Sequence, residues 1–171
     1  MCGIFGFITN AGEGPDIRRL RRLAVITQTR GAHAFGLAWV DADGRLEAFK
    51  TPGPASEHLD ELERCRDAVA MVGHCRYATH GSPHDNRNKH PHAAGSGWLV
   101  HNGVVHNHAQ LAVRHGLSTR TQCDSEVLAL LMAKGRGTGS QRSAWVANQA
   151  AGDLALLGLW RNPTRLLVAR R

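Results

Sequence analysis

Apolar residues recur along this chain in two rhythms. Residues 4–9 are apolar or small and read as a strand starting almost at the first residue. Ile17, Leu20, Leu23 and Ala24 are then spaced by three and four, the stripe of an amphipathic helix, and Asp16 is placed to cap a helix running to about Thr27. Residues 35–40 and 45–50 flank Asp41-Ala42-Asp43-Gly44, a run suited to a tight reversal, so the two segments are expected to pair as a hairpin. Residues 56–69 read as helical, 71–77 and 98–105 as strands, and 108–115 and 124–134 as helices, with Asp124 as an N-cap. A last helix at 141–151 precedes strands at 154–160 and 166–169. Strands and helices come in pairs, which predicts sheets packed together beneath outer helices.

Composition narrows the class. At 171 residues, 42% hydrophobic and 20% charged, the chain has the size and balance of one folded domain, and a single domain over 1–171 is expected. No apolar run approaches the roughly 18 residues of a membrane span, and the first residues lack a secretory pattern, so a cytoplasmic location is expected. Cys2, Cys65, Cys75 and Cys123 are widely separated, with no CxxC pair, and are expected to be free thiols. A formal charge of +7 and a pI near 10.1 are compatible with nucleic acid or an acidic partner without naming one. The densest basic run, Arg18, Arg19, Arg21 and Arg22, is read as the solvated face of the first helix.

Four segments carry candidate chemistry. Cys2 follows Met1, and removing Met1 would place a thiol and a free α-amine, with a pKa of roughly 7.7–8.0, on one residue: a nucleophile with its own base. Alone, a cysteine at position 2 is an ordinary small residue. Along residues 73–81, strand alternation puts Val72, His74 and Arg76 on one face and Cys75 and Tyr77 on the other. Arg76 can then leave the strand end as a planar fork for a carboxylate, with Thr79 and His80 adding donors. Asn102-Gly103 can converge a side-chain NH2 and an unhindered backbone N–H on one developing oxyanion, although an Asn-Gly turn is common. Asp124 offers a carboxylate for an α-ammonium group, or simply a helix cap.

Together these pieces resemble the glutaminase domain of class II glutamine amidotransferases, most nearly that of glucosamine-6-phosphate synthase. The resemblance is carried by Cys2-Gly3-Ile4, Arg30-Gly31 with Gly36, residues 73–81 and 88–92, His101-Asn102-Gly103 with Asn107-His108, and Asp124 with Glu126, in order and spacing along nearly the whole chain. It implies an α+β, N-terminal-nucleophile αββα sandwich of two mainly antiparallel sheets between helix layers, shortened at the C-terminal end and without an acceptor domain. It implies that Cys2 attacks the amide of L-glutamine, forms a γ-glutamyl thioester and releases ammonia, with Asn102 and Gly103 stabilising the oxyanion. Arg76 and Asp124 would hold the α-carboxylate and α-ammonium, Tyr77, Thr79 and His80 would line the pocket, and Arg30 and His90 would support it. Ammonia would pass to a separate synthase subunit. The sequence departs from the family at His33-Ala34, where Asp and Ser or Ala are usual, and at Tyr77, where Trp is common.

Two other enzyme-class and binding readings compete: an amidohydrolase acting on another γ-glutamyl or acyl amide, and a catalytically inactive regulatory or nucleic-acid-binding relative. Arg76 with Asp124 disfavours the first, because the pair reads an α-amino acid. No cofactor is expected. Eight histidines crowd positions 74–108, but no pair has a recognised zinc-motif spacing, so no metal site is expected either.

Overall fold

The computed structural model describes residues 1–10, 13–79, 81–82 and 84–171. Its elements run β1 (Gly3–Ile8), α1 (Ile17–Gln28), β2 (Ala34–Asp41), β3 (Leu46–Pro52), 3-10 turns at Ala55–Glu57 and Leu59–Cys65, and β4 (Ala68–Arg76). A 3-10 turn at Asn86–Asn88 leads to β5 (His92–Ala93), β6 (Gly97–Gly103), α2 (His108–His115), α3 (Ser125–Lys134), α4 (Gly139–Gln149), β7 (Leu154–Trp160) and β8 (Arg165–Arg170).

The strands form two antiparallel sheets, ordered β1-β4-β2-β3 and β5-β6-β7-β8. Strand alternation sorts their side chains into three apolar layers. Between the sheets, Ala38, Val40, Ala70 and Val72 meet Val100 and Leu159. Outside the first sheet, Phe5, Phe35, Leu37, Trp39 and Met71 pack against Leu20 and Ala24 of α1. Outside the second, Leu99, Leu154 and Leu156 pack against Leu111 of α2, Val127, Leu128 and Leu131 of α3, and Val146 of α4. Each such aliphatic side chain contributes about 1.5–3 kcal/mol when fully buried, so the three layers fix the helix–sheet–sheet–helix order that the sequence led us to expect.

Local chemistry explains most boundaries. The Asp16 carboxylate accepts from the backbone N–H groups of Arg18 and Arg19 at 2.9 and 3.2 Å and starts α1. In the β2–β3 hairpin, Gly44 adopts φ +77° and Asp41 Oδ1 accepts from Arg45 N–H at 2.8 Å. The helix expected over 56–69 is corrected: 3-10 turns occupy much of that stretch, and β4 begins at Ala68. Leu59, Leu62 and Cys65 are spaced by threes, which stacks them on one face of a 3-10 helix, and Leu62 and Cys65 are fully buried. Among the described residues, no helix is long and apolar enough to cross a membrane.

Candidate active site

The β1–β4 pairing places Gly3 opposite Cys75, so the chain delivers Cys2 to the C-terminal end of β4. Cys2 Sγ accepts from Tyr77 N–H at 3.3 Å and lies 3.5 Å from the Tyr77 carbonyl, to which the thiol donates. Arg30 Nε donates to the Cys2 carbonyl at 3.1 Å, fixing the backbone that carries the thiol. Burial pushes the Cys2 thiol above its ordinary range. The Tyr77 backbone bond, the positive chain terminus and Arg76 oppose that rise, and the Asp124 carboxylate adds to it.

The alternation expected along β4 is observed. Val72 enters the layer between the sheets, and His74 Nε2 meets the His101 carbonyl of β6 at 3.0 Å. Arg76, next on that face, is buried and donates to the carbonyls of Gly81 and Ser82 at 3.3 and 3.5 Å. Asn88, also buried, ties this loop to the chain ahead of α3: its Nδ2 donates to the Ser82 carbonyl at 3.3 Å and its Oδ1 accepts from Gln122 N–H at 2.8 Å. Sequence reasoning flags the segment containing Asn88 without assigning that residue a task.

Asp124 sits at the N-cap position of α3 with helical backbone angles, and its side chain makes no capping bond. The capping role expected for it is therefore corrected. Its Oδ2 instead accepts from Val105 N–H at 2.6 Å, across from the end of β6. The start of α3 is held from below by Ser125, whose Oγ lies 2.8 Å from His101 Nδ1. Glu126 accepts from the N–H groups of Arg120 and Thr121, shaping the approach to the helix.

Gly103, the last residue of β6, has φ +146°, and a Cβ there would lie 1.9 Å from the Asp153 carbonyl oxygen. Only glycine fits, for steric reasons independent of any role its N–H plays. A second close approach sits deeper: a Cβ on Gly36 of β2 would lie 2.0 Å from the His90 carbonyl oxygen, so Gly36 lets the 88–92 segment rest directly on the first sheet.

These elements enclose a narrow recess lined by Cys2, Arg76, Tyr77, Thr79, His90, His101, Gly103, Cys123, Asp124 and Ser125. It opens into a cleft of about 780 Å³ whose walls include Cys2, Arg30, Tyr77, Thr79, Asn102 and Gly103. Of the residues picked out in the sequence, Cys2, Arg76, Tyr77, Thr79, His90, Gly103 and Asp124 thus share the recess, and Asn102 and Arg30 stand on the outer cleft. His80 lies outside the described residues. The two departures in the sequence touch each other: the His33 and Tyr77 rings stack with centroids 4.8 Å apart, and His33 Nδ1 accepts from Ala78 N–H at 3.0 Å.

The histidine-rich centre is buried behind this recess. The His74 ring stacks on His90 at 3.9 Å, and His90 meets His92 edge-on at 4.6 Å. Burial lowers all of them, with His74 at about 3 and His90 and His92 well below the ordinary histidine range, so they are neutral.

No family model matches the chain. It is 33% identical over 183 residues to the glutamine–fructose-6-phosphate aminotransferase of Gluconobacter oxydans and 34% identical over 179 residues to that of Vibrio cholerae. These alignments cover 100% and 99% of this chain but 29% and 28% of the relatives, so the chain spans under a third of their length. Among solved structures, an allosteric regulatory enzyme of purine biosynthesis superposes with a TM-score of 0.77 at 28% identity, over 99% of this chain and 37% of that one. The glutamine phosphoribosylpyrophosphate amidotransferase of B. subtilis gives 0.74 at 26%, over 98% and 37%. Fold and sequence together define a class II glutamine amidotransferase domain of the N-terminal-nucleophile kind. Within that class, the chain is a homologue of the glutaminase domain of glutamine–fructose-6-phosphate aminotransferase.

Proposed function

We propose that this chain hydrolyses L-glutamine to glutamate and ammonia, with Cys2 as nucleophile once Met1 is removed, and hands the ammonia to a separate synthase. The observation that carries this reading is the placement of the Cys2 thiol in a recess walled by a guanidinium, Arg76, and a carboxylate, Asp124. Opposite charges set apart in one recess suit the two ends of an α-amino acid, and the thiol between them and the outer cleft suits its side-chain amide.

Burial keeps the thiol protonated at neutral pH, so attack needs a base that takes the proton as the bond forms. The α-amine of a processed Cys2, with a pKa of roughly 7.7–8.0, supplies it. Sulfur attacks the amide carbon, and the carbonyl oxygen becomes an oxyanion that Asn102 Nδ2 and Gly103 N–H stabilise. The protonated amine gives its proton to the departing nitrogen, ammonia leaves, and a γ-glutamyl thioester remains. Water then adds with the same amine as base, releasing glutamate and the thiol. Arg30 is a positioning residue, holding the Cys2 carbonyl while the thiol moves between states, and Tyr77, Thr79 and His90 shape the pocket.

The test is mass spectrometry of cell-derived protein after treatment with an electrophilic glutamine analogue. The reading predicts one adduct, on a peptide that begins at Cys2. An intact Met1, or an adduct on Cys123 in place of Cys2, would overturn it.

A further inference from the structure

Among the described residues, His90, His92 and Cys123 bring one ligand atom each within 4.8 Å of one another, and all three side chains are buried. Both His90 ring nitrogens and His92 Nε2 are shut away from solvent and have no hydrogen-bond partner among the described residues. Leaving a buried polar atom unpaired costs about 1–3 kcal/mol, and an ion that took one nitrogen from each ring would satisfy two of these three. We propose that His90, His92 and Cys123 form a binding site for a thiophilic divalent cation such as Zn²⁺, with its open coordination position facing the recess that holds Cys2.

The donor set fits that class of ion. Two imidazole nitrogens and one thiolate sulfur are a borderline-soft combination, which selects Zn²⁺ or its spectroscopic substitute Co²⁺ over Mg²⁺ or Ca²⁺. Bond lengths of about 2.0–2.1 Å to nitrogen and 2.3 Å to sulfur put tetrahedral ligand atoms roughly 3.3–3.6 Å apart, so the three side chains close by about 1 Å on the ion. Three protein ligands leave a fourth position. His90 and Cys123 line the recess, so that position opens toward Cys2.

Protonation also fits. His90 and His92 are already neutral and offer lone pairs without losing a proton. The Cys123 thiol is pushed up to about 11 by burial and by Asp124, so the cation must displace its proton to water as the metal–sulfur bond forms. The surrounding charges are Asp124, whose Oδ1 lies 3.9 Å from Cys123 Sγ, together with Arg76, Lys50 and Glu126. Asp124 offsets the net positive charge of the ion–thiolate unit, and Arg76 and Lys50 oppose it. One proton is released per ion bound, and affinity rises with pH. The site shares His90 and the recess with the proposed glutamine pocket, but cation binding itself uses neither the Cys2 thiol nor glutamine, so it can be tested apart from glutamine hydrolysis.

Co²⁺ titration of the full chain, followed by absorption and by calorimetry, tests the site. The expected result is one Co²⁺ per chain with intense tetrahedral d–d bands and a thiolate-to-cobalt charge-transfer band. That band is lost in Cys123→Ser and kept in Cys2→Ser, and affinity falls at least tenfold in His92→Gln, with circular dichroism confirming that each variant folds. Absence of a saturable charge-transfer band in the wild type overturns the proposal, as does a band that survives Cys123→Ser or disappears with Cys2→Ser. If Cys123→Ser does not fold, His92→Gln decides: unchanged affinity there overturns the site.

Discussion

The Asp124 carboxylate accepts a hydrogen bond of 2.6 Å from the backbone N–H of Val105, joining the start of α3 to the end of the β6 strand that carries Asn102 and Gly103. One carboxylate oxygen is thereby committed to the scaffold, and the group as a whole faces the recess with Cys2. Asp124→Asn keeps the shape and an oxygen for Val105 but removes the charge. Charged hydrogen bonds contribute about 1.5–3 kcal/mol, so the expected outcome is a rise in KM for glutamine of about 10- to 100-fold with kcat changed much less. Steady-state glutaminase kinetics check it.

The same substitution acts on the nucleophile. Asp124 helps raise the Cys2 thiol, so removing its charge moves the thiol down and increases the thiolate fraction at a given pH. The pH profile of Cys2 alkylation by iodoacetamide is expected to shift to lower pH in Asp124→Asn.

His33 and Tyr77 form one unit at the mouth of the cleft, a stacked pair pinned by the Ala78 N–H to His33 Nδ1 bond. His33→Ala removes the stack and leaves that N–H to solvent, loosening the segment that carries Tyr77 and Thr79. KM for glutamine is expected to rise several-fold with Tm nearly unchanged.

These contacts show what the sequence makes legible. Helical spacing at Ile17–Ala24 and two-residue alternation at Val72, His74 and Arg76 predict a helix stripe and a strand face, because both depend on local period alone. The 56–69 stretch misleads because apolar residues at 59, 62 and 65 satisfy both a 3.6- and a 3.0-residue period. Asp124 reads as a cap because the residue type and position suit one, and only tertiary structure reveals Val105 as its partner. The meeting of His90 and His92 with Cys123, over thirty positions later, has no sequence spacing to announce it.

Gly36→Ala tests the seating of the 88–92 segment. The added Cβ would fall 2.0 Å from a backbone oxygen, which cannot swing aside as a side chain would. Overpacking of this kind costs about 1–3 kcal/mol or more, and each kcal/mol is worth roughly 2–4 °C at this size. A fall in Tm of roughly 2–12 °C is expected in a thermal melt.

The buried histidines make the fold acid-sensitive. In the unfolded chain they bind protons below about 6.5, whereas His74 in the folded protein resists protonation until about 3. Stability is therefore full above 6.5 and is lost as pH falls from 6.5 toward 3, with His74 alone worth about 1.4 kcal/mol per pH unit in that window. His90, His92 and His101 shift in the same direction and steepen the loss. The urea midpoint is expected to be lower at pH 5 than at pH 7, and less so in His74→Asn.

The most direct measurement is glutamate release from glutamine by the processed protein and its Cys2→Ala variant, each confirmed folded by circular dichroism. Loss of the nucleophile is expected to lower turnover by a factor on the order of 10³ or more. Equal rates from the two proteins would contradict the account.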